Sequence, residues 1–145
     1  MVSLYTDGSC DGNPGPGGFA AILKKRGYRK EIVGSVPHST INRMELMAVI
    51  QGLSAVKPYS KVTVLTDSSY VEKAVNEGRL MVWSNNGWRR IRTHEPVKNA
   101  DLWQRLVGII KSGKLDVSFR KVAAHKGCRD NERADFLARR AAKAV

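Results

Sequence analysis

The chain has 145 residues, 42% of them hydrophobic, with two cysteines and a formal net charge of +12 from 25 Lys and Arg against 13 Asp and Glu. That length suits a single domain, residues 1–145, with a full core. No stretch approaches a membrane span, Cys10 and Cys128 make no disulfide framework, and the absence of a basic-then-apolar leader gives a cytoplasmic expectation. The charge excess favours a polyanionic partner, nucleic acid foremost, over a membrane or a merely soluble surface.

Residues 2–9 read as a strand ending in Thr6-Asp7 and a small-residue turn. The stretch Gly12-Asn13-Pro14-Gly15-Pro16-Gly17-Gly18 is turn-rich but lacks the Gly-Lys-Ser/Thr ending of a phosphate loop. Strands follow at 18–26 and 28–36 with Gly27 at the turn. A helix over 42–56 is stopped by Pro58, and strand 61–66 leads into a short helix from Ser68. Residues 79–98 are irregular. A helix at 99–111 carries Leu102, Leu106, Ile109 and Ile110 on one face, and strand 115–122 and helix 130–142 complete the chain. An opening meander followed by interleaved strands and helices predicts an α/β fold with a mixed sheet.

The segment 61–69 repeats the pattern of 2–9, a strand ending in Thr66-Asp67 and then serines. Aspartates at the C-terminal tips of buried strands lie where open α/β sheets put ligands. If the two strands are neighbours, Asp7 and Asp67 come close and must share a proton or hold a cation. A hard divalent cation prefers such oxygen ligands. Each carboxylate also has a structural alternative. Asp7 before Gly8 suits a turn, and Asp67 suits the N-cap of the helix at Ser68. Glu45 completes a capping box with Asn42, although its face carries Ala48, Val49 and Gly52, where an unpaired carboxylate is costly. Asp135 can pair with Arg139 at i+4. His125, in a loop before the last helix, suits proton transfer at neutral pH. Within 79–98, Arg79, Arg89, Arg90, Arg92 and Lys98 surround Trp83 and Trp88, a composition that neutralises phosphates and stacks on sugars or bases. The alternative is an exposed loop anchored to the core by its tryptophans. Trp103, in a good helix, reads as core.

Taken together, Tyr5-Thr6-Asp7-Gly8-Ser9-Cys10, the glycine-rich turn, Asn42-Arg43-Met44-Glu45-Leu46, Thr66-Asp67-Ser68, Val97-Lys98-Asn99-Ala100-Asp101-Leu102-Trp103 and Asn131-Glu132-Arg133-Ala134-Asp135 make the whole chain resemble the type 1 ribonucleases H, the bacterial members most closely. The resemblance implies a ribonuclease H-like five-stranded mixed sheet, order 3-2-1-4-5, flanked by helices. It implies a monomeric endonuclease that hydrolyses the RNA strand of RNA–DNA hybrids, leaving 3′-hydroxyl and 5′-phosphate ends. Asp7, Glu45, Asp67 and Asp135 match the four carboxylates that hold two Mg²⁺ (or Mn²⁺) ions with substrate, Asp7 bridging them, in a clamp on the attacking and leaving oxygens. His125 matches the catalytic-loop histidine. The 79–98 stretch, with Trp83, Trp88, Arg89 and Arg90, matches the basic protrusion that grips the hybrid. Asn13 and Asn42 match hybrid-contacting positions, Gln51 falls in a region facing the strands, and Thr40 and Asn99 match a pocket for a DNA-strand phosphate.

The chain departs from the family pattern at His38, Ile41, Ser69 and Ala123-Ala124, where Arg, Asn, Gln or His, and Lys-Gly are common. The alternatives in view are a non-catalytic hybrid-binding module and another nuclease of the same fold. The first requires a lost carboxylate, and none is lost.

Overall fold

The computed structural model describes residues 1–123 and 128–145; His125 and Ala124 lie outside the described residues. Five strands, β1 (Val2–Cys10), β2 (Gly15–Lys25), β3 (Tyr28–Ser39), β4 (Lys61–Thr66) and β5 (Asp116–Lys121), form one mixed sheet in the order β3-β2-β1-β4-β5. The first three pair antiparallel, and β1-β4 and β4-β5 pair parallel. This is the order that the resemblance implied. The β1–β4 register sets Thr6 opposite Thr66, so the Thr-Asp tip of β4 lies beside the Thr6-Asp7 step of β1. Strand β1 itself does not turn there as predicted but continues through Gly8 and Ser9 to Cys10, because those residues stay paired with β2.

Helices α1 (Ile41–Ser54), α2 (Ser69–Asn76), α3 (Arg79–Asn85), α4 (Ala100–Gly113) and α5 (Arg129–Lys143) cover the sheet. The larger core joins Leu4, Val62 and Val64 of the sheet to Leu46, Val49, Ile50 and Leu53 of α1 and to Trp103 and Leu106 of α4. A smaller one sets Ala20 and Ile22 against Ala134, Leu137 and Ala138 of α5. Strand β2 is buried on both faces because helices cover both, hence its near-continuous apolar run Phe19-Ala20-Ala21-Ile22-Leu23. Gly18 allows α5 to lie against β2: a Cβ there would stand 2.1 Å from the Ala138 carbonyl oxygen.

Three further local expectations are corrected. The N-cap of α1 is Thr40, whose extended backbone and Oγ1, accepting from the Arg43 N–H at 3.3 Å, place Asn42 inside the first turn. The N-cap of α2 is Ser68, not Asp67; its hydroxyl accepts from the Val71 N–H at 3.2 Å. The stretch 79–98 contains the helix α3, and only its remainder is irregular. Trp103 is fully buried in α4, as expected.

Candidate active site

The corrected caps remove the structural alternatives for two of the four carboxylates. With Thr40 as cap, Glu45 does not close a capping box, and with Ser68 as cap, Asp67 does not start α2. Asp7 sits on β1 at the central seam of the sheet, next to the parallel tip of β4 that carries Asp67. Gly8 brings Glu45 to them, because the first turn of α1 lies against the Gly8 backbone. One ligand oxygen from each of Asp7, Glu45 and Asp67 lies within 4.8 Å of the others, with Asp7 and Glu45 buried and Asp67 half-buried.

The electrostatics of this cluster are unfavourable for bare carboxylates. Burial pushes the Asp7 carboxyl up to about 7, and the charges of Asp67 and Asp135 push in the same direction. Burial and then the Asp7 charge hold the Glu45 carboxyl well above its ordinary range. Asp7 Oδ1 accepts the Gly8 N–H at 2.9 Å. Asp7 Oδ2 and Glu45 Oε2 are buried without a hydrogen-bond donor, so a proton on one carboxyl is what would link the pair. Two unsatisfied buried oxygens pointing into one acidic cluster suit hard divalent cations, and the donor set is all carboxylate oxygen. Asp135, on α5, makes the predicted pair with Arg139 at 2.9 Å while its charge is felt at Asp7.

The other candidate residues surround this cluster. Asn13 is exposed, and its Oδ1 accepts the Ile41 N–H at 3.1 Å, tying the glycine-rich turn to the start of α1. Asn42 is exposed on the first turn of α1, and Thr40 is half-buried at its cap. Gln51 is farther along α1, bordering a groove with Lys30, Glu31, Ile32 and Val33 of β3. Asn99, left-handed at the start of α4, is held by its side chain: Nδ2 donates to the Tyr70 hydroxyl at 3.0 Å and Oδ1 accepts from Arg43 at 3.2 Å. Arg43 also makes a two-pronged pair with Asp101 at 2.7 and 2.9 Å. The Trp103 indole N–H donates to the same Tyr70 hydroxyl at 3.0 Å.

In the 79–98 stretch the tryptophans and arginines separate. Trp83 packs on Trp103, ring centroids 5.9 Å apart, and Trp88 is half-buried against the same core. Arg90 is exposed, and exposed Arg89 donates to the His94 carbonyl at 2.9 Å. The tryptophans therefore anchor this stretch to the core, and the arginines face solvent. Sequence reading did not single out Arg43 and Tyr70. Their partners lie 29 to 58 residues away, and no local pattern signals such contacts.

The family model for RNase H matches residues 1–143. The Ribonuclease H of Nitratidesulfovibrio vulgaris (strain DP4) is 50% identical over 138 residues, covering 95% of this chain and 86% of that protein. The crystal structure of LC9-RNase H1, a type 1 RNase H with the type 2 active-site motif, matches at a TM-score of 0.83 and 30% identity, over 99% of this chain and 72% of that one. LC11-RNase H1, solved in complex with an RNA/DNA hybrid, shares the fold at a TM-score of 0.70 and 20% identity, over 99% and 98% of the two chains.

Proposed function

This chain belongs to the RNase H family and is a ribonuclease H enzyme, and from that premise we propose that it hydrolyses the RNA strand of RNA–DNA hybrids with two divalent metal ions, Mg²⁺ foremost, leaving 3′-hydroxyl and 5′-phosphate ends. The observation that carries the reading is the convergence of Asp7, Glu45 and Asp67 with two buried, donorless oxygens among them. Asp7, Glu45, Asp67 and Asp135 are the residues that would hold the ions. When bound, the ions supply the charge that lowers the pKa of an attacking water and stabilises the departing 3′ oxygen.

The residues themselves divide the remaining work. Carboxylates fixed within a strand, at a strand tip and at a helix turn are held by backbone, so little reorganisation is needed when a phosphate arrives. Asp7 is central, between Glu45 and the β4 tip. His125 is assigned proton transfer or product release. Asn13 and Asn42 offer exposed amides to the minor groove, where 2′-hydroxyls distinguish RNA from DNA. Thr40 and Asn99 line the place proposed for a DNA-strand phosphate, and Arg89 and Arg90 extend the basic grip. The net charge of +12 gathers a polyanion that the acidic cluster alone would repel. A single domain acting as a cytoplasmic monomer completes the reading.

The test is an end-labelled RNA–DNA duplex beside matched RNA–RNA and DNA–DNA duplexes, each with Mg²⁺ and with chelator. Metal-dependent cutting of the RNA in the hybrid alone is the expected result. Tight hybrid binding without cutting, or cutting of double-stranded DNA, would overturn it.

A further inference from the structure

One cation beside the carboxylate cluster is held differently from its neighbours. Lys121 is the last residue of β5, and its register partner is Thr66, the residue before Asp67. Adjacent strands lie about 4.8 Å apart, so the Lys121 backbone begins one strand spacing from the edge of the cluster. Its exposed side chain donates from Nζ to Ser69 Oγ at 2.5 Å, two residues past Asp67. Ser69 is the first residue of α2, and its short side chain lets the lysine lie across the start of that helix.

The partner is a neutral hydroxyl. Arg43 is held by Asp101 at 2.7 Å and Arg139 by Asp135 at 2.9 Å, so each of those charges is largely offset. Among the described residues, no carboxylate lies within ion-pair distance of Lys121. A hydroxyl orients an ammonium without cancelling its charge, which leaves a directed cation for a phosphate. The strand that must enter the carboxylate cluster is the RNA strand, and an ammonium held at Ser69, two residues past Asp67, is placed to meet that strand.

We propose that Lys121 is a substrate-binding residue that takes a phosphate of the RNA strand next to the scissile one, with Ser69 as its positioning residue. The assignment rests on the hybrid-hydrolysis reading and adds to it a contact outside the 79–98 protrusion. A lysine at a phosphate contributes one released counterion, so it acts on affinity and its salt dependence more than on the chemical step.

The experiment compares wild type with Lys121→Gln, Lys121→Arg, Ser69→Ala and, at the opposite end of the sheet, Lys57→Gln. Hybrid affinity is measured in chelator across a salt series, and KM and kcat in Mg²⁺. Lys121→Gln is expected to weaken hybrid binding and raise KM by roughly three- to tenfold, with kcat within about twofold and a salt slope shallower by about one. Lys121→Arg keeps the slope, Ser69→Ala shows a smaller loss in the same direction, and Lys57→Gln leaves the slope as in wild type. A methylphosphonate scan of both strands then locates the contact. One RNA position should weaken wild type and leave Lys121→Gln unaffected. A Lys121→Gln enzyme with wild-type KM and slope overturns the proposal, as does finding that the position which weakens wild type but not Lys121→Gln lies in the DNA strand. A wild type that fails to cut the hybrid sinks the underlying reading instead, which is a different result from a variant that matches an active wild type.

Discussion

Gly8 and Glu45 are in backbone contact: a Cβ built on Gly8 would stand 2.3 Å from the Glu45 nitrogen and 2.8 Å from the Met44 Cβ. The glycine of Thr6-Asp7-Gly8-Ser9, inside β1, is therefore what lets α1 deliver a carboxylate beside Asp7 and the β4 tip. Gly8→Ala must move α1 or bend β1, because backbone cannot yield as a flexible side chain can. A cost of about 1–3 kcal/mol in stability is expected from overpacking. Mg²⁺-dependent activity should fall by more than the loss of folded protein explains, because Glu45 is displaced. Urea unfolding alongside kcat separates the two; a variant with reduced stability but wild-type kcat would show that Glu45 keeps its place.

The Asp7 carboxyl gives a pH prediction for the metal-free protein. Its pKa is raised from the ordinary 3.8 to about 7, so the folded state holds a proton that the unfolded chain releases at lower pH. The contribution is fully present below about pH 4 and is lost as pH rises through about 7. In chelator, wild type should lose stability between pH 5 and pH 8 relative to Asp7→Asn. At pH 8 the asparagine variant should be more stable by about 1–3 kcal/mol. Mg²⁺ should raise the wild-type Tm more at pH 8 than at pH 5, and that rise should shrink in Asp7→Asn, which is also expected to abolish turnover. Parallel Tm-against-pH curves for the two proteins in chelator would refute the assignment.

How much of this was legible in the sequence depends on the range of the interaction. Asp67 at the β4 tip could be read because a Thr-Asp ending followed by serines is a local signal, and parallel pairing brings it beside Asp7. Strand β1 nevertheless runs on to Cys10, because its pairing with β2 overrides the turn that Gly8-Ser9 suggested. Glu45 stood out as a carboxylate on the face bearing Ala48, Val49 and Gly52. The caps were misplaced because Thr40, Asn42, Asp67 and Ser68 are all good cap residues, and choosing among them depends on the backbone. The helix α3 escaped notice because it buries none of its residues fully and so lacks a strong apolar period. The Arg43–Asn99–Tyr70 chain could not be read, since sequence spacing says nothing of partners 29 to 56 residues apart.

That chain yields its own prediction. The Tyr70 hydroxyl accepts from Asn99 Nδ2 and Trp103 Nε1, both at 3.0 Å. Tyr70→Phe keeps the ring against Trp103 but leaves a fully buried indole N–H and the Asn99 amide without their acceptor. A loss of about 2 kcal/mol is expected. Asn99 should also turn more freely, raising KM for the hybrid with little change in kcat. Unfolding curves and steady-state kinetics check the two halves, and an unchanged KM would mean that the Asn99 side chain does not set hybrid affinity.

The 79–98 stretch should separate under the same two measurements into residues that anchor it and residues that meet substrate. Trp83, packed on Trp103, belongs to the core, so Trp83→Ala should cost about 2–4 kcal/mol in stability and disorder the protrusion with it. Arg89 and Arg90 are exposed, so replacing both with Gln should leave Tm nearly unchanged. The double variant should instead raise KM and make its salt dependence shallower by roughly one to two in slope, one for each phosphate that an arginine no longer neutralises. Hybrid binding in chelator at several salt concentrations measures this directly. A double variant that lowers kcat while KM and slope stay constant would remove the arginines from the substrate grip. A stable Trp83→Ala with the same flattened slope would show that Trp83 acts on the hybrid by positioning the arginines and is not a core anchor.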